Sequence, residues 1–84
     1  MAYVEIYKLN NDGSQKILAV CRQLGEEVVC EGEEKFIEYL NKEGINDYNS
    51  PSPKKLFPKD GRLFLEQLKY NFKSGYLNAT DLKE

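Results

Sequence analysis

Two tight-turn signals close together near the N-terminus constrain this chain more than anything else in it. Asp12-Gly13 separates Tyr3–Leu9 from Lys16–Leu24, and Gly25-Glu26 separates that second segment from Glu27–Glu31. Asp-Gly suits a type I′ turn and Gly-X a type II′ turn, the shortest hairpin connections. The spacing therefore predicts a three-stranded antiparallel meander. Two-residue loops also set the register: Val4 opposite Cys21, Ile6 opposite Ala19, Lys8 opposite Ile17, Gln23 opposite Val28, and Cys21 opposite Cys30.

Side chains alternate between the faces of a strand. One face then holds Val4, Ile6, Ile17, Ala19, Cys21, Val28 and Cys30, small and nearly uncharged, which marks the core side. The other carries Tyr3, Glu5, Tyr7, Leu18, Val20, Arg22, Leu24 and Val29.

Gly32 opens a helix over about 33–43, with Glu33 and Glu34 in a first turn that favours acids and Phe36, Ile37 and Leu40 as its inward stripe. Gly44 is its stop, with Ile45 folding back on Leu40. Residues 46–57 read as a long loop containing Pro, Ser and Asn, with Leu56-Phe57 briefly extended before Pro58. A second helix starts at Pro58 or Asp60 and runs to about Lys73, stopped by Gly75. Phe64, Leu65, Leu68 and Phe72 face the sheet and Leu63 and Tyr70 widen the stripe. Residues 76–79 dock as an extended segment and 80–84 fray. The expected fold is a single α+β domain over 1–84, β-β-β-α-α, with both helices on one face of the sheet.

The chain contains no histidine and two cysteines. That removes Ser-His and Cys-His catalysis and argues against a structural zinc site, which takes four Cys or His ligands. Asn10-Asn11-Asp12-Gly13 is too short for a calcium loop. We expect no enzymatic activity, no cofactor and no metal. No apolar run approaches the roughly 20 residues of a membrane span, and no basic start leads into an apolar stretch, so the expectation is a cytoplasmic protein. In that compartment Cys21 and Cys30 are expected as two reduced, buried thiols, although their opposition permits a bridge.

The net charge of −2 is unevenly spread: residues 26–47 hold eight acids against Lys35 and Lys42, and residues 48–84 hold seven bases against four acids. Such asymmetry fits self-association or a charged partner; the plainer alternative is mutual neutralisation within the fold.

Three surfaces follow. Tyr3, Tyr7, Leu18, Val20 and Val29 form an amphipathic patch of the kind found at interfaces. The leading expectation is a small interaction module that uses this patch to bind a protein partner or form a homodimer. The alternative is a nucleic-acid-binding accessory protein using Lys55, Lys59, Arg62, Lys69 and Lys73, although Glu66 in that stripe also fits a plain solvated helix face. A small-ligand cleft beside the 46–57 loop is the third.

Overall fold

The computed structural model describes residues Met1–Glu84. Strand β1 (Tyr3–Leu9) pairs antiparallel with β2 (Gln15–Leu24), and β2 with β3 (Glu27–Gly32), as the turn signals predict. Gly25-Glu26 forms the expected two-residue loop between the paired Leu24 and Glu27. The first turn differs. Asn10 N–H donates to the Ser14 carbonyl at 2.8 Å and Gly13 N–H to the Asn10 carbonyl at 3.0 Å. Asn11 and Asp12 are thus the turn's centre and Gly13, at φ 88°, closes a three-residue loop. A type I′ turn would put Asp12 at positive φ, and only glycines take positive φ in this chain. The Asp12 carboxylate instead accepts the Ser14 hydroxyl at 2.6 Å and the Ser14 N–H at 2.9 Å. Those bonds, the hydroxyl's first, hold its pKa below the ordinary value.

The longer loop shifts the pairing nearest the turn by one residue, so Lys8 faces Lys16 and Tyr7 faces Ile17. A bulge then leaves Leu18 unpaired, and from Ile6↔Ala19 and Val4↔Cys21 onward the register is the predicted one. Two departures cancel. Their residue is local: Ile17, expected in the core, is 47% exposed, and Leu18, expected on the outer face, is 7% exposed.

The sheet has four strands, ordered β3-β2-β1-β6, because β6 (Leu77–Ala79) adds to the free edge of β1. The residues after it are held as well. Thr80 N–H donates to the Glu5 carbonyl at 2.9 Å, and Tyr3 and Lys83 exchange both backbone bonds at 2.8 and 2.9 Å. The segment 80–84, expected to fray, is a continuation of the sheet edge.

Helix α1 (Glu34–Glu43) ends at Gly44, whose N–H donates to the Leu40 carbonyl. The two ends of the predicted loop are paired: β4 (Ile45–Asn46) pairs with β5 (Lys55–Leu56), leaving residues 47–54 as the connection. Pro58–Asp60 is a separate 3-10 turn, with Asp60 accepting the Phe57 N–H at 2.8 Å. Gly61 breaks the path, so α2 begins at Arg62 rather than at Pro58 or Asp60. It ends at Asn71, short of Gly75, because Phe72 to Ser74 turn back to meet β6: Ala79 N–H donates to the Phe72 carbonyl at 2.8 Å.

Both helices cover one sheet face. The core joins Val4, Ile6, Ala19, Cys21 and Val28 to Leu40, Ile45, Leu56, Phe64, Leu65, Leu68 and Phe72. Phe36 packs on Phe72, ring centroids 5.7 Å apart. Leu63 and Tyr70 stay outside, 47% and 44% exposed, and Gln67 is buried in their place.

Candidate interaction surface

The helices leave the opposite sheet face uncovered, and pairing orders its side chains into rows. Val29, Arg22 and Tyr3 lie side by side across β3, β2 and β1, with Lys83 of the segment after β6 bridged to Tyr3, and Glu31, Val20 and Glu5 form the next row. Tyr7 stands beyond them, between Ile17 and Asn78. The Tyr3 ring has a cation on each side, Arg22 at 5.9 Å and Lys83 at 5.6 Å from its centroid. Such contacts stabilise an exposed site by about 0.5–1 kcal/mol each. Lys83 also reaches the Glu5 carboxylate at 3.2 Å, linking the two rows.

Of the five residues singled out in the sequence, Tyr3, Tyr7, Val20 and Val29 share this face. Leu18 does not contribute, because the bulge places it in a buried position. Ile17 and Leu24, each 47% exposed, supply apolar surface in its stead. Lys83 was missed because nothing in its local sequence signals that the tail pairs with β1.

The basic residues of the alternative reading are spread over several elements. Lys55 lies in β5, and Lys59 in the 3-10 turn sits 5.9 Å from the Phe57 ring. Arg62 is engaged by Glu84 at 2.8 Å, Glu66 at 3.4 Å and the side-chain Oε1 of Gln23 at 3.2 Å. The bond to Glu84 raises its guanidinium pKa further. Lys69 lies 3.8 Å from Asp81, and Lys73 follows the end of α2. The acidic and basic halves do not neutralise each other through ion pairs: the one acid of 26–47 in an ion pair is Glu33, with Lys16 at 3.5 Å, and the bases of 48–84 pair with Glu5, Glu66, Asp81 and Glu84.

Cys21 and Cys30 are directly opposed, with Cα atoms 4.0 Å apart, and their sulfurs are bonded. The expected free thiols are therefore absent. Neither thiol should take up an alkylating reagent until a dithiol is added, and both should label after unfolding in it. Label on the untreated folded protein would contradict the bridge. Closing a nine-residue separation is worth about 2–3 kcal/mol in the chain-entropy account, so reduction should lower Tm by about 10–20 °C.

No protein-family model, curated protein or solved structure matches this chain. No group of three or more Cys, Asp or Glu side chains converges as a metal ion would require, and no helix is long and apolar enough to cross a membrane.

Proposed function

We propose that this chain is a non-enzymatic interaction module that pairs with a second copy of itself through the open sheet face. The observation behind this reading is the order of charge there: Arg22 and Lys83 flank Tyr3 in one row, and Glu31 and Glu5 flank Val20 in the next. A two-fold axis between the rows, perpendicular to the strands, lays the cationic row of each copy over the acidic row of the other. Every contact then occurs twice, as an isologous interface requires. Stacked sheets lie about 10 Å apart, a gap that tyrosine, arginine and glutamate side chains fill. Tyr7, Val20, Val29, Ile17 and Leu24 provide the apolar area, and a standard interface takes about 800 Å² per partner.

Sedimentation equilibrium tests the reading. Wild type should populate a dimer at about 100 μM or above, and Tyr7→Ser with Val20→Lys should leave a folded monomer. Arg22 then lies over Val20 of the other copy with Glu31 and Glu5 diagonally beside it, so Arg22→Glu and Glu31→Arg should each weaken the dimer about tenfold, by bringing like charges into diagonal reach. Mixing these two variants should restore it, since each copy then meets its complement. A wild-type protein that stays monomeric at about 1 mM, or a mixture no tighter than its parts, overturns the proposal.

The cytoplasm is the proposed location. Cytoplasmic thiols are kept reduced, so the bridge seen in the folded chain should be open in the cell and close only after isolation; alkylation at the moment of lysis that finds Cys21 and Cys30 already bridged would exclude that compartment.

A further inference from the structure

A cleft of about 320 Å³ opens between α2 and the segment after β6, with Leu65 and Leu82 among its apolar lining and Tyr70 on its wall. Gln67 lines it although only 1% of that residue is exposed. Its Oε1 accepts the Tyr48 N–H at 3.0 Å, which orients the amide. Its Nε2 donates to no protein atom. No buried side-chain nitrogen or oxygen of this chain is sealed off without a partner, so Nε2 must reach the surface, and the cleft is where Gln67 meets it. A donor fixed in orientation by the bond on its own amide oxygen is pre-organised for an acceptor that displaces the solvent at its tip.

A second depression of about 360 Å³ adjoins the first, with Tyr70 as the shared wall and Tyr48 and Lys73 as the other boundaries. Tyr48 and Tyr70 are 60% and 44% exposed. Lys69 stands 5.2 Å from the Tyr70 ring centroid, and its only ion-pair partner, Asp81, is 90% exposed. The rim carboxylate of Glu66 is engaged by Arg62 at 3.4 Å. Gln67 and Lys69 line the first depression and Tyr48 and Lys73 the second, with Tyr70 common to both, so a ligand that spans Tyr70 meets two aromatic side chains, one oriented amide donor and two ammonium groups.

We infer that this groove binds a nucleobase–phosphate unit. The base stacks on Tyr70, an exocyclic oxygen or ring nitrogen accepts from Gln67 Nε2, and Lys69 and Lys73 hold the phosphate. The unit is either a free nucleotide or part of a single strand. The groove meets the sheet only at Thr80 on its edge and contains none of the residues placed in the dimer contact, so it stands whether or not the chain dimerises.

A ¹H–¹⁵N NMR titration of the full chain with uridine monophosphate, a short uridine oligomer and inorganic phosphate tests this. The Gln67 side-chain amide signals should move together with the backbone signals of Lys69 and Tyr70, saturating near about 1 mM mononucleotide. An oligomer at least tenfold tighter identifies a single strand as the ligand, and equal affinity identifies a free nucleotide. Tyr70→Ala, and Lys69→Gln with Lys73→Gln, alter exposed residues and should each weaken binding about tenfold, the lysine pair also flattening the salt dependence. The inference is overturned if the Gln67 amide stays still at about 10 mM mononucleotide and about 1 mM oligomer, if phosphate alone reproduces every shift, or if Tyr70→Ala binds as wild type does.

Discussion

Replacing Gly61 with alanine should cost about 3 kcal/mol and lower the urea midpoint by about 2 M. Gly61 joins the 3-10 turn to α2 at φ 68° and ψ −128°, a backbone region that side chains rarely occupy. Its Cα also lies against the turn between β2 and β3. An added Cβ would strike the Glu26 carbonyl oxygen and come within 3.2 Å of the carbonyl carbon, both backbone atoms unable to swing aside. The cost combines conformational strain with the displacement of a hairpin. Single domains of this size are stable by only about 5–10 kcal/mol, so the variant should be visibly weakened. A midpoint within about 0.5 M of wild type would show that the β2–β3 turn yields freely, which the packing denies.

Phe64→Ala should be more damaging still, by about 3–5 kcal/mol. Phe64 is the largest fully buried side chain, at 0% exposure, in the cluster that joins α2 to the strands. The expected fall in Tm is about 15–30 °C. Phe64→Leu, which keeps most of the volume, should lose about 1–2 kcal/mol. Near-equal losses for the two variants would mean that the site collapses around the missing ring, and the core would then be looser than its burial shows.

The meander was legible because each turn carries a glycine between alternating strands, and the opposition of Cys21 and Cys30 followed from it. What was hidden was a pair of compensating defects. The extra loop residue at Asn11–Gly13 and the bulge at Leu18 leave the far pairings unchanged, so a simple two-residue loop predicts Val4↔Cys21 correctly and misplaces Ile17 and Leu18. In α2, polarity misled where position decided. At 3.6 residues per turn Gln67 stands about 60° from Phe64 on the helix, whereas Leu63 and Tyr70 stand about 100° and 120° away on that same side. Gln67 is therefore drawn under the 47–54 connection and satisfied by Tyr48 N–H, while the two larger apolar groups remain outside. Lys83 and Thr80 complete the open face and its edge through long-range pairing, which no local pattern announces.

The fourth strand has a kinetic consequence. Its three residues pair with a strand some 70 positions earlier, as in Ile6↔Ala79, so joining them closes a long loop for few bonds. It should dock last during folding and detach first from the native protein, ahead of the N-terminal hairpins. Each detachment bares the hydrogen-bonding edge of β1. The segment best matched to that vacancy is the same stretch of a neighbouring molecule, which makes exchange of C-terminal strands the misassembly this architecture invites at high concentration.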